Sequence, residues 1–139
     1  MARPITPIVA VDAVIRFKKT SIVLIRRKYP PFKDELALPG GFVNVGESVE
    51  KACIREAYEE TNIHVNIINL IGVFSNPNRD PRGHNISIAF LCEPLTDSEK
   101  PMAKDDAQSL EIVKFTDFSS LKLAFDHKDI INASGIIKN

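Results

Sequence analysis

The sequence predicts a mixed α/β layered domain: a mostly antiparallel sheet built around an early helix, with a second helix at the carboxyl end. Three observations predict it. One run alternates apolar and polar residues with period two and several others are short and strand-like, one stretch in the first half has helical spacing and good caps, and aspartates precede two short stretches near the end.

The run from Ile8 to Phe17 alternates, with Val9, Val11, Ala13, Ile15 and Phe17 on one side and Asp12 and Arg16 among the residues on the other. It reads as a strand. After Lys18, Lys19 and Thr20, the β-branched run SIVLIRR supplies the second arm of a hairpin. A loop, KYPPFKDE, leads through Leu36 to Leu38 into Pro39, Gly40 and Gly41, where a missing donor and two permissive residues predict a pause in regular structure. Ser48 is placed to cap a helix running to about Thr61, and Asn62 can close it in the left-handed conformation. Val49, Ala52, Cys53, Ala57 and Ile54 are its expected buried side, with Glu56, Glu59 and Glu60 on another. HVNIINLIGVFS and HNISIAFLCE read as strands around the loop NPNRDPRG. LEIVKF reads as a last strand, and Asp117 and Asp126 as caps of short terminal helices.

A chain of 139 residues holds one ordinary core, so a single domain over residues 1–139 is expected. Eighteen basic residues balance eighteen acidic ones, which leaves no global field to recruit nucleic acid or an anionic membrane. Cys53 and Cys92 are too few for a disulfide framework and lack CxxC spacing; both read as buried thiols. No apolar run approaches the roughly 20 residues that span a bilayer, and no cleavable leader is legible, so a cytoplasmic location is expected.

The chemistry concentrates on the early helix. Glu56 and Glu60 lie one turn apart with Glu59 between them in height, and two unit charges about 6 Å apart repel by roughly 3 kcal/mol at an effective dielectric near 20. Arg55 can relieve Glu59 at four-residue spacing, which leaves Glu56 and Glu60 facing one side without a cation. A divalent metal such as Mg²⁺ or Mn²⁺ resolves that conflict through hard oxygen ligands; a solvated acidic face is the plainer alternative. The glycine turn and Glu47 in front of the helix favour the metal.

Gly41 to Ile63, GFVNVGESVEKACIREAYEETNI, resembles the Nudix box, G-x5-E-x7-R-E-U-x-E-E-x-G-U with U aliphatic. Gly41, Glu47, Arg55, Glu56, Glu59, Glu60 and Ile63 match; Ala57 is small for its aliphatic position, and Asn62 replaces the final glycine. The resemblance implies an α/β/α sandwich. It implies metal ligation by Glu56, Glu59, Glu60 and the Gly40 carbonyl, with Arg55 and Glu47 orienting the ligands and Gly41 beside the substrate. It also implies hydrolysis of a nucleoside diphosphate linked to another moiety with Mg²⁺ or Mn²⁺. RRKYPPFKDELALPGGFV, SNPNRDPRGH and LAFDHKDII are similar to the ADP-ribose pyrophosphatase branch, which implies cleavage to AMP and ribose 5-phosphate and, by analogy, a possible homodimer.

Arg79 and Arg82 are the expected substrate contacts, able to grip phosphate bidentately, or else arginines of a surface turn paired with Asp80 and other acids. Tyr29 and Phe32 are placed to stack on adenine or to pack. The catalytic base is Asp106, its neighbour Asp105, or Glu56. His64, His84 and His127 have no metal-ligand spacing and read as structural. A nucleoside triphosphate pyrophosphatase and a non-catalytic ADP-ribose-type sensor are the competing functions.

Overall fold

The computed structural model describes residues 2–104 and 107–137. Among the described residues seven strands form one mixed sheet: β1 (Ile8–Phe17), β2 (Ser21–Arg27), β3 (Leu36–Ala37), β4 (Gly40–Phe42), β5 (Val65–Phe74), β6 (Asn85–Pro94) and β7 (Ala107–Lys114). The helices are α1 (Val49–Thr61), a 3₁₀ helix (Phe115–Ser120) and α2 (His127–Ser134).

The main path through the sheet is β3-β2-β1-β6-β5, with β4 added to β1 and β7 to β2. All pairings are antiparallel except β1 with β6, which run parallel from Ile8↔Asn85 to Ile15↔Cys92. Sequence alternation cannot distinguish that exception, because a strand shows the same period in either orientation.

Alternation along β1 sorts its side chains into two cores. Val11, Ala13 and Ile15 pack with Ala52, Cys53 and Ala57 of α1, whereas Val14 packs with Ile130 and Ile131 of α2. The sheet is thus covered on both faces, as expected of an α/β/α sandwich. Cys53 and Cys92 are buried free thiols with sulfurs 3.8 Å apart. No helix among the described residues is long and apolar enough to cross a membrane.

The caps of α1 follow from its sequence. Ser48 is extended and its Oγ accepts the Lys51 amide at 3.2 Å, while Asn62 takes φ 62° and its amide donates to the Tyr58 carbonyl. Three local expectations are corrected. Ile54 is 39% exposed, because it falls outside the arc that faces the sheet. Asp117 lies inside the 3₁₀ helix and caps nothing, and Asp126 stands at the α2 N-cap but makes no side-chain capping bond. Its carboxylate is taken by an arginine.

The glycine segment also differs from expectation. Regular structure pauses only at Leu38 and Pro39; Gly40 and Gly41 then pair with Asp12 and Val11 as part of β4. Absence of side chains makes this possible. A Cβ on Gly40 would lie 2.2 Å from the Val11 carbonyl oxygen, and one on Gly41 would lie 2.5 Å from the Glu56 carboxyl carbon.

Gly40→Ala must therefore push β4 off β1 backbone, and is expected to lower the unfolding free energy by about 1–3 kcal/mol in urea melts. Gly72→Ala, whose added methyl meets only ordinary contacts at 3.7 Å, is expected to change it by less than about 0.5 kcal/mol. Equal effects at the two positions would contradict the close-approach argument.

Candidate active site

Arg55 organises the acidic helix. Its Nε and Nη2 donate to the two Glu47 carboxylate oxygens at 2.7 and 2.9 Å, and Nη2 also donates to the Phe42 carbonyl at 3.0 Å. Nη1 reaches Glu56 at 2.7 Å and Glu59 at 3.2 Å. The expectation that Glu56 lacks a cation is thus corrected: the flexible arginine bends back to its own neighbour as well as forward by one turn. The hydrogen bonds that Arg55 donates to Glu47, then the one to Glu56, raise its pKa despite some desolvation. In return the Arg55 hydrogen bond, with the Asn44 amide, lowers the Glu47 pKa from 4.5 to about 2.

For Glu60 the structure goes against the plainer alternative of a solvated acidic face. Glu60 is 6% exposed and accepts the Gly40 amide at 2.7 Å, so its carboxylate anchors the start of β4 to α1. Glu56 and Glu60 line one side of a cavity of about 440 Å³, together with Gly40, Gly41 and Phe42. Arg79, Asp80, Arg82, Arg27, Tyr29, Phe125 and His127 line other parts of it. Among the described residues no group of three or more His, Cys, Asp or Glu side chains is gathered closely enough to hold a metal ion. Glu59 sits with Arg55 rather than in the cavity wall. Two carboxylates facing one cavity nonetheless fit Mg²⁺ or Mn²⁺, because Mg²⁺ commonly takes one or two carboxylates and completes its shell with water and substrate phosphate.

Both expected substrate arginines line this cavity, and both are held by acids. Arg82 donates from Nε and Nη2 to Asp80 at 3.1 and 2.8 Å, and its guanidinium carbon lies 5.6 Å from the Phe125 ring centre and 5.8 Å from that of Phe42. Burial works against the Asp80 charge, but the Arg82 side chain and amide and Asn85 outweigh it and hold its pKa low. Arg79 is almost entirely buried and forks onto Asp126 at 2.9 and 2.6 Å. Its burial is likewise outweighed, by Asp126, Asp12 and Asp80, so its pKa is raised.

Tyr29 lines the cavity and is half-exposed, whereas Phe32 packs edge-on against Phe125 with ring centres 4.8 Å apart and is absent from the lining. Packing is thus the role the structure gives Phe32. Asp105 and Asp106 lie outside the described residues.

A buried polar group behind Arg79 was not singled out from the sequence. Asp12 accepts from Ser87 Oγ, lies 3.4 Å from His127 Nε2 and 3.9 Å from Arg79 Nη2. His127 Nδ1 accepts the Leu38 amide at 2.9 Å. Burial lowers the His127 pKa against the pull of Asp12 and Asp126, and a ring nitrogen that accepts an amide carries no proton. The neutral ring therefore carries its proton on Nε2, toward Asp12. One sequence signal was available: an aspartate in the middle of an apolar strand requires a buried partner.

Helix-borne Glu56 and Glu60, backed by the glycine strand β4, thus face a cavity that Arg79 and Arg82 also line, an arrangement that offers both acidic and basic groups to one ligand. Residues 6–133 match the NUDIX domain family, and the chain belongs to it. It is 51% identical over 126 residues to an ADP-ribose pyrophosphatase of Methanocaldococcus jannaschii, covering 90% of this chain and 71% of that protein. It is 30% identical over 131 residues to an ADPR responsive transcriptional repressor, NtrR, of Acinetobacter baylyi, covering 91% of this chain but 52% of the repressor. Among solved structures, a bifunctional NMN adenylyltransferase/ADP ribose pyrophosphatase from Francisella tularensis, in complex with AMP and a Mn ion, superposes with a TM-score of 0.82 at 32% identity. That match covers 94% of this chain and 42% of the other. The chain thus spans about half or less of the length of the latter two.

The low Glu47 pKa fixes a sign. An acid held below its unfolded value stabilises the fold above pH 4.5, and that contribution is lost as pH falls from about 4.5 to about 2. Thermal melts of wild type and Glu47→Gln should differ at pH 6 and converge near pH 2; a gap that stays constant would contradict the pairing.

Proposed function

We propose that this chain is a metal-dependent pyrophosphohydrolase that cleaves ADP-ribose to AMP and ribose 5-phosphate. The observation that carries the reading is the single cavity lined on one side by Glu56 and Glu60 and elsewhere by Arg79 and Arg82. Similarity to the Methanocaldococcus enzyme supports the substrate. A single domain over residues 1–139, a homodimeric state and a cytoplasmic location complete it.

In this reading the diphosphate lies between the two sides. Arg79 and Arg82 offer phosphate or ribose oxygens the donors that Asp126 and Asp80 leave over, and those acids hold both guanidinium groups in place with little entropy left to lose on binding. The half-exposed Tyr29 ring offers a face for adenine. Glu56, Glu59, Glu60 and the Gly40 carbonyl form the set that would hold Mg²⁺ or Mn²⁺. Such an ion would neutralise the diphosphate and lower the pKa of the attacking water. Arg55 orients Glu56 and Glu59 while Glu47 holds Arg55, and Gly41 leaves room for the Glu56 carboxylate. Water oxygen bonds to one phosphorus as the bridging P–O bond breaks, and a carboxylate takes the proton. Glu56, Asp106 and its neighbour Asp105 are the three candidates. Glu56 lines the cavity; for Asp105 and Asp106 the support is the resemblance of the sequence AKDDAQS to the corresponding loop of the ADP-ribose branch.

Similarity to a repressor that responds to ADPR gives the sensor reading a specific basis. Binding without turnover would select it, and preference for triphosphates would select the sanitising alternative.

Purified protein with Mg²⁺ and a panel of nucleoside diphosphate derivatives and triphosphates should turn over ADP-ribose with the highest kcat/KM. Glu60→Gln should fold and lose roughly a hundredfold or more in kcat. No turnover of any panel member would end the enzyme reading, and an unimpaired Glu60→Gln would contradict the metal assignment.

A further inference from the structure

Two consecutive residues at the start of α2, Asp126 and His127, bond two different residues of the cavity lining, Arg79 and Leu38. Asp126 takes both Nε and Nη2 of Arg79, so Nη1 remains as the guanidinium nitrogen with no hydrogen-bond partner among the described residues. His127 takes the amide of Leu38, two residues before Gly40, while Ala13 donates its amide to the Pro39 carbonyl at 2.8 Å. The glycine segment is therefore suspended between α2 and β1. Asp12 closes the circuit: it faces His127 and Arg79, and it is the strand partner of Gly40. Asp12, His127 and the Arg79 side chain are each less than a tenth exposed, so water does not compete strongly for these contacts.

We propose that the Asp126–His127 pair is the positioning element of the cavity, Asp126 aiming Nη1 of Arg79 at the substrate diphosphate and His127 holding the Leu38–Gly41 segment against the carboxylate helix. Neither residue touches the reacting atoms. The inference rests on the ADP-ribose reading, and it makes the two limbs separable: Asp126 acts on binding, His127 on turnover. A helix start that only stabilised the fold would weaken both together.

The binding limb is tested by calorimetric titration of ADP-ribose in EDTA, where no hydrolysis competes. Asp126→Asn should raise Kd at least about tenfold, as expected when a charge-assisted fork is lost. Asp126→Glu should recover part of that loss, and Arg79→Lys added to Asp126→Asn should cost less than about threefold more. If Asp126→Asn fails to fold, the Asp126→Glu and Arg79→Lys proteins carry the same cycle. The turnover limb is read with Mg²⁺ and ADP-ribose. His127→Leu should lower kcat at least about tenfold, and His127→Asn, whose side-chain oxygen can replace Nδ1 as acceptor, should restore a measurable share. Wild type that binds ADP-ribose while Asp126→Asn binds equally well would overturn the inference and leave the substrate reading standing. Equal kcat losses in His127→Leu and His127→Asn would overturn the turnover limb. Wild type that does not bind ADP-ribose would overturn both the inference and the reading beneath it.

Discussion

The site depends on one guanidinium. Arg55 carries five N–H groups in a rigid fork, and the fold distributes them over Glu47, Glu56, Glu59 and the Phe42 carbonyl. That distribution joins the segment before α1, the helix itself and the end of β4 at one point. It also lets carboxylates crowd one helix without being driven apart, since each repulsion is offset by a shared cation. A lysine could not replace it, because a single ammonium cannot present parallel donors to Glu47 while also reaching the next turn. Glu60 stands apart from this clasp. It is buried and bonded to the Gly40 amide, so the side chain that most directly joins helix to strand also lines the cavity, as Glu56 does.

The sandwich explains why these groups meet groups from the far end of the chain. β1 runs through the middle of the sheet, with β6 along one edge and β4 and β2 along the other. Its alternation sends Val11, Ala13 and Ile15 to the α1 face, while Asp12, between them, meets His127 of α2. Gly40, pairing with Asp12 at the edge, brings the two faces within reach of each other because it has no side chain to separate them. The cavity lies where β4, α1, the loop after β5 and the start of α2 converge.

Much of this was legible in the sequence. The extent of β1 follows from period-two alternation and that of β2 from its β-branched run, and both ends of α1 follow from Ser48 and Asn62, whose roles are local. The glutamates and Arg55 were legible as a group because helical spacing alone brings them together. What escaped was set by distant partners. The strand character of Gly40 and Gly41 depends on an open edge of β1; the burial of Glu60 depends on where β4 lies; and the partner of Arg79 is Asp126, 47 residues away. Capping chemistry made Asp126 read as a helix start, although a buried arginine makes the stronger claim on its carboxylate. Phe32 was equally ambiguous, since an aromatic beside prolines serves stacking or packing, and only the position of Phe125 decides for packing.

On the reading proposed above, Glu56 and Glu60 face one cavity in order to share a divalent cation with a bound diphosphate. Anomalous diffraction from crystals grown with Mn²⁺ and a non-hydrolysable ADP-ribose analogue tests it directly. The account predicts a Mn²⁺ peak roughly 2.0–2.3 Å from oxygens of both glutamates and of the analogue's phosphates. A peak that sits elsewhere, or one that touches the phosphates while both carboxylates stay with their protein partners, would contradict it.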